Sequence, residues 1–270
     1  MQLKFTKMHA LGNDFLFIDK SITRYLDPSS IVLIANRKLG IGCDQVIFYE
    51  RNFAANYQVQ IYNPDGSQAG MCGNAMRCLG LLGRQIYDEG QIAVLVGNKR
   101  IKIDALDADN IKVNMGPAEL NSEWMPKLPD LINVLGDWQI DLKEVMCADI
   151  GNRHLVIFYR NLGDQDKILL GQSLQNIHLF EDGVNVNFAR ITSPNSIHLR
   201  VFERGAGMTL ACGSGACATF AVARKLKFVE ESATINFEMG ELFMSSLNDE
   251  IIMSGPATKV AEVIFNEAIL

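Results

Sequence analysis

The strongest constraint on the fold is that the chain repeats itself. The segment Cys72-Gly73-Asn74-Ala75-Met76-Arg77-Cys78 resembles Cys212-Gly213-Ser214-Gly215-Ala216-Cys217, starting at an offset of 140 residues, and the same offset lays Val59–Asn63 on Leu199–Glu203. At 139 residues, Gly12–Ile18 falls on Gly151–Ile157, and Met115-Gly116-Pro117-Ala118 falls on Ser254-Gly255-Pro256-Ala257. Four matches in one order, at an offset near half of 270 residues, read as two copies of one fold. The proline-containing stretch Glu119–Leu135 reads as the connection. The expected domains are residues 1–118, the N-terminal half carrying Cys72, and 119–270, the C-terminal half carrying Cys212. The extreme C-terminus is left open to pack back on the first half.

Each copy reads alike. A strand carrying Gly-Asn is followed by a helical stretch, Pro28–Lys38 or Asp166–Asn176. The alternating strand comes next, then a polar turn (Asn63–Gly70, Glu203–Thr209) and the Cys-Gly segment. A helix is predicted over Gly73–Glu89 and again over Gly213–Lys227. Short strands close each copy, over Gln91–Gly97, Lys99–Ala105 and Ile111–Met115, and over Ala233–Glu238, Glu241–Ser246 and Ile251–Ser254. The helix after each Cys-Gly is small and apolar on nearly every face, as Leu79, Leu81, Leu82 and Ile86 or Ala216, Ala218, Phe220 and Val222 show. Such a helix is buried. The predicted fold is α/β (α+β): two pseudo-symmetric halves, each a curved, mostly antiparallel sheet wrapped around a buried central helix.

Composition narrows the function classes. Twenty-five Lys and Arg against 31 Asp and Glu give a net charge of −6, which argues against nucleic acid or an anionic membrane as partner. No apolar run approaches the roughly 20 residues of a transmembrane helix. His9, Asn13 and Asp14 interrupt the N-terminal apolar stretch, unlike a secretory signal. The expectation is a cytoplasmic protein. Its six cysteines show none of the paired C-x2-C spacing of a structural zinc site, so reduced thiols and no metal are expected. Cys43, Cys78, Cys147 and Cys217 read as buried or incidental thiols, and His9, His178 and His198 as structural or surface residues.

Cys72 and Cys212 differ from the other four in position. Each stands at the start of a buried helix, whose first N–H groups lack internal partners and carry the positive end of the macrodipole. That end binds anions such as a carboxylate and favours a thiolate. Glycine next to the cysteine lets a ligand approach the backbone. Two such starts related by pseudo-symmetry suit an acid and a base on opposite sides of one carbon, which together invert it.

Several motifs carry a family resemblance in order and spacing. They are Lys7–Phe15, Asn63-Pro64-Asp65-Gly66-Ser67 leading to Met71-Cys72-Gly73-Asn74, and Gly151-Asn152-Arg153-His154. Glu203-Arg204-Gly205-Ala206-Gly207 leading to Ala211-Cys212-Gly213-Ser214-Gly215, and Met253–Thr258, complete them. Together they resemble the diaminopimelate epimerases over nearly the whole chain. The resemblance implies a cofactor-independent enzyme interconverting LL- and meso-2,6-diaminopimelate, in lysine and peptidoglycan precursor synthesis, on a diaminopimelate-epimerase-like fold. It implies that Cys72 and Cys212 are the two catalytic bases, one thiolate and one thiol, with His154 and Glu203 supporting them. It implies that the substrate is bound by Asn13, Gln45, Asn63, Asn152, Asn185, Glu203 and Arg204, with the amides around Gly73, Asn74, Gly213 and Ser214 stabilising the developing charge. It also implies a homodimer. Ala10, Pro64, Ala75, Met76, Arg153 and Met208 depart from the family pattern, and none replaces a catalytic or carboxylate-binding residue.

Other readings compete. A Cys-Gly at a helix start is usually structural, a strand histidine is usually a satisfied core residue, and Glu203-Arg204 could be an exposed turn pair. The asparagines could simply cap or turn the backbone. Gly213–Ala218 fits a loose dinucleotide fingerprint but lacks its acidic partner in a βαβ unit. A racemase of another amino acid on the same fold is the alternative enzyme, an isomerase of the phenazine-biosynthesis type is disfavoured by the presence of both cysteines, and a thiol- or metal-binding module is the alternative from another class.

Overall fold

The computed structural model describes residues 2–22, 26–138 and 140–266. It divides into two compact units, Met1–Asn114 with Ser254–Leu270, and Met115–Met253.

In the first unit, β1 (Gln2–Ala10) and β2 (Asn13–Asp19) form an antiparallel pair across a turn in which Gly12 adopts a φ of 85°. Helix α1 (Pro28–Ala35) follows, capped by the Asp27 carboxylate on the Ser30 amide and started by a proline whose missing N–H costs nothing there. It serves as the crossover that brings β3 (Gln45–Arg51) parallel to β2. β4 (Tyr57–Tyr62) runs antiparallel to β3, and the short β5 (Gln68–Ala69) to β4. Helix α2 (Gly73–Tyr87) is the second crossover, delivering β6 (Gln91–Val96) parallel to β4; β7 (Lys99–Ala105) and β8 (Ile111–Gly116) then meander antiparallel.

The second unit, reached past the short α3 (Ile132–Leu135), repeats this plan element for element. Its strands are β9 (Val145–Asp149), β10 (Arg153–Phe158), β11 (Asn185–Ser193), β12 (Ser196–Glu203), β13 (Gly207–Thr209), β14 (Ser232–Phe237), β15 (Gly240–Leu247) and β16 (Glu250–Gly255). The crossovers are α4 (Asp164–Gln175) and α5 (Gly213–Lys225). Again the second and third strands, β10 and β11, are parallel, as are β12 and β14, and the remaining pairs β9–β10, β11–β12, β12–β13 and β14–β15 are antiparallel. The counterpart of the last strand, β17 (Thr258–Asn266), in the first copy is a single antiparallel bridge, Glu119 to Asp149 at the end of β9. β17 itself pairs antiparallel with β1 from Asn266 on Gln2 to Thr258 on His9, with a register shift between Lys7 and Met8.

Helices cover both faces of each sheet, which explains the strand patterns. Leu16, Ile18, Val46 and Phe48 pack outward beneath Ile31 and Ile34 of α1, while the neighbouring Phe15, Phe17, Ile47 and Tyr49 are buried on the opposite face. Hence β2 and β3 read as continuous apolar runs, as parallel strands buried on two faces do. In the second unit Leu155, Ile157, Val186 and Phe188 pack with Leu170 and Leu174 of α4. The central helices are buried as their all-round apolar character requires: α2 without interruption from Gly73 to Gly83, and α5 over Gly215–Phe220. Both end two residues earlier than the pattern suggested, α2 at a left-handed Asp88 and α5 before Leu226 and a left-handed Lys227.

Candidate active site

Cys72 is the N-cap of α2 in extended backbone (φ −124°, ψ 110°), and Cys212 is the N-cap of α5 in nearly the same conformation (φ −133°, ψ 112°). Each therefore sits beside the unpartnered amides of a helix start. The turn asparagine of each unit reaches the second residue of its central helix. Asn74 Nδ2 donates to Asn13 Oδ1 at 3.1 Å, and Asn152 Nδ2 donates to Ser214 Oγ at 3.1 Å.

In the first unit the Cys72 thiol is half-buried, with its Sγ 4.0 Å from Asn13 Oδ1. Asn13 Nδ2 donates to Asp44 Oδ2 at 2.8 Å, so the orientation of its amide is fixed from behind. Asp44 belongs to an ion cluster: Arg37 bridges Asp44 (2.8 Å) and Asp14 (2.6 Å), and Lys7 Nζ pairs with Asp14 (2.5 Å) and the Gly42 carbonyl. Asp14 pays for burial, yet the bonds from Arg37 and Lys7 outweigh it and hold its carboxyl far below the usual range. Gln45 and Asn63 form a second polar pair, Nε2 to Oδ1 at 3.1 Å, with Asn63 Nδ2 donating to Ser67 Oγ. Gln45 Oε1 and Asn74 Oδ1 are buried and accept no hydrogen bond from the described residues.

In the second unit Cys212 is buried, accepts from the Gly215 amide at 3.4 Å and lies 3.4 Å from Ser214 Oγ. His154 is fully buried; its Nε2 is 3.1 Å from both Asn152 Oδ1 and Ser214 Oγ, and its Nδ1 is 3.0 Å from Asn187 Nδ2. Glu203 accepts from Thr209 Oγ1 at 2.5 Å. Asn185 braces the backbone, donating to the Arg153 carbonyl and accepting from the Arg204 amide, both at 3.0 Å. The Arg204 guanidinium donates to the Asp182 carbonyl.

Protonation follows burial more than helix position. Burial lowers the His154 imidazole to about 4, so the ring is neutral near pH 7. Burial and the Glu203 charge push the Cys212 thiol well above its ordinary range, against the Ser214 and Gly215 donors that pull it down. The expected thiolate bias at this helix start is therefore outweighed: the sulfur loses more hydration than a few dipoles return. Burial also raises Cys43 and Cys147 to about 12 and Cys78 higher still, which keeps these as thiols. None of the six cysteines is in a disulfide, and among the described residues no group of three or more His, Cys, Asp or Glu is placed to hold a metal.

Comparison with known proteins follows the same two-part pattern. The family model described as diaminopimelate epimerase matches residues 5–121 and 146–260. A protein of Rickettsia bellii named diaminopimelate epimerase is 47% identical over 269 residues, 98% of each chain. This chain belongs to the diaminopimelate epimerase family. A relative of the same name from Rickettsia felis is 48% identical over 96% of each chain. Among solved structures, a PhzF-family phenazine biosynthesis protein of Bacillus anthracis superposes with a TM-score of 0.73 at 12% identity, covering 98% of this chain and 99% of that one. A hydroxyproline epimerase of Agrobacterium vitis gives 0.68 at 11% identity, covering 98% and 92%. At 12% identity or below, these likenesses show a shared fold.

Three residues that hydrogen-bond candidate residues within their own unit carry little signal in the sequence. Asp44 adjoins Gln45 but its bond to Asn13 spans 31 residues. Thr209 lies six residues beyond Glu203, across the β12–β13 pair. Asn187 stands two positions after Asn185, on the same strand, and that alternation of asparagines inside an apolar run was the one available signal.

Proposed function

We propose that this chain is a diaminopimelate epimerase that interconverts the LL and meso isomers by a two-base proton transfer at the α-carbon. One observation carries the reading: the family match spans both halves, and in each half a cysteine is the N-cap of a buried helix. One sulfur, as thiolate, takes the α-proton; the C–H electron pair stays on carbon, delocalised into the carboxylate. The other sulfur, as thiol, gives its proton to the opposite face and becomes the thiolate. The two sulfurs thus exchange protonation states with each turnover, and no oxidant, reductant or cofactor is consumed.

The remaining residues divide by task. Amides at the starts of α2 and α5, around Gly73, Asn74, Gly213 and Ser214, would face the substrate carboxylate as its negative charge spreads. His154 and Glu203 orient the reacting centre. Asn13, Gln45, Asn63, Asn152, Asn185 and Arg204 recognise the substrate, including its distal amino-carboxylate end. The Arg204 guanidinium, with five N–H donors, can take a carboxylate while Nη1 still donates to the Asp182 carbonyl. We place the enzyme in the cytoplasm as a homodimer, which size-exclusion chromatography of the native protein addresses. Incubation with LL-diaminopimelate and no added cofactor is expected to yield the meso isomer to equilibrium, with proline and hydroxyproline untouched. Turnover of those substrates in place of diaminopimelate would overturn the assignment.

A further inference from the structure

The geometry points to Asn187 as a positioning residue that decides which ring nitrogen of His154 carries the proton and, through Ser214, turns a hydroxyl donor onto the Cys212 sulfur. Its catalytic meaning rests on the function proposed above; its geometry does not. Asn187 is fully buried, with Nδ2 3.4 Å from the Leu155 carbonyl and 3.0 Å from His154 Nδ1. A carbonyl oxygen only accepts, so the amide atom that faces both groups is the NH2. One of its hydrogens goes to Leu155 and the other to His154 Nδ1, which must present a bare lone pair. The buried ring is neutral and has a single proton, left for Nε2.

From there the donors run in one direction. Nε2–H faces Asn152 Oδ1 and Ser214 Oγ, each at 3.1 Å, and Asn152 Nδ2 donates to the same Ser214 oxygen. With donors arriving at its oxygen, the Ser214 hydroxyl directs its own hydrogen to Cys212 Sγ, 3.4 Å away. The Gly215 amide supplies a second donor to that sulfur. Both support negative charge on a sulfur that burial and Glu203 would otherwise keep protonated.

The sister copy shows that the fold itself does not require this relay. At the repeat offsets, His154, Asn187 and Gly215 correspond to Phe15, Ile47 and Ala75. The three positions differ together, and one contact links two of them: a Cβ on residue 215 would lie 2.6 Å from Asn187 Oδ1. Gly215 makes room for the asparagine, just as Ala75 stands where the opposing strand carries isoleucine.

The test is the tautomeric state of His154, read from two-bond 1H–15N correlations of histidine-labelled protein without substrate, with kcat and KM measured in parallel. Wild type is expected to show protonated Nε2 and bare Nδ1. Asn187→Asp, whose carboxylate only accepts, should leave Nδ1 protonated and lower kcat roughly 10–100-fold with a smaller change in KM. Asn187→Ala should abolish the tautomer preference, and Gly215→Ala should weaken it by displacing the amide. Protonated Nδ1 in wild type would overturn the proposal, and that measurement needs no variant to fold. Loss of turnover in the variants with the tautomer unchanged would also overturn it, leaving Asn187 a packing residue. Absence of diaminopimelate turnover would instead strike the function proposed above, since the tautomer is read on the resting protein.

Discussion

At the scale of single residues, the two units use polar groups differently around their cysteines. In the first unit Asn13 is clamped by a carboxylate, Asp44, that is itself held by Arg37. Removing that acceptor in Asp44→Ala frees the Asn13 amide to turn. Asp44→Asn keeps a carbonyl oxygen that can accept from Asn13, so it should retain several-fold more activity than Asp44→Ala; equal loss in both would show that the charge matters and the geometry does not. In the second unit the burial of His154 couples the site to stability. Its folded value, about 4, lies below the ordinary 6.5, so the unfolded chain binds this proton first as the medium is acidified. Stability from this group is complete above about pH 6.5 and falls as pH drops toward 4, by up to about 3 kcal/mol. Urea midpoints of wild type and His154→Phe, the residue of the sister copy, should converge over that interval; parallel curves would contradict the coupling. The two cysteines were legible as helix caps because the repeat marks them, whereas His154 and Glu203 were singled out by the motif resemblance alone. Asp44 and Asn187 were not, because their roles depend on rotamers and on partners about 30 residues away.

At the scale of elements, close packing of helix on sheet sets the tolerances. A Cβ on Gly80 of α2 would come within 2.7 Å of Ile103 Cγ2 on β7, and one on Gly171 of α4 within 2.5 Å of the Phe202 ring on β12. Gly80→Ala and Gly171→Ala should each destabilise by about 1–3 kcal/mol through overpacking, despite alanine's better helix propensity. Gly136, with nothing within 4 Å of its would-be Cβ, is the control: Gly136→Ala should stay within about 0.5 kcal/mol of wild type. Denaturant midpoints at constant slope distinguish these cases. The order and type of the elements could be read from apolar periodicity and from turn residues. The ends of α2 and α5 could not, because Asp88 and Lys227 adopt left-handed backbone where glycine would have signalled the stop.

At the scale of the whole molecule, duplication explains both what the sequence reveals and what it hides. Two copies with matching strand pairings place a cysteine at the same cap twice, and that is why the chemistry could be argued from spacing before any geometry. The sequence repeat is silent on β17, which follows Pro256-Ala257 where the first copy passes from Pro117-Ala118 into the connection, and only the Glu119–Asp149 bridge matches its pairing with β1. Duplication followed by divergence also accounts for the asymmetry of His154, Asn187 and Gly215 against Phe15, Ile47 and Ala75. The central claim is that Cys72 and Cys212 act as a pair of bases on one carbon. Solvent deuterium incorporation at the α-carbon of LL- and meso-diaminopimelate, followed for wild type, Cys72→Ala and Cys212→Ala, tests it most directly. Wild type should exchange the α-hydrogen with turnover, and each variant should lose epimerisation by roughly 10²–10⁴-fold. Epimerisation at the wild-type rate in either variant, or inversion by wild type without α-exchange, would contradict it.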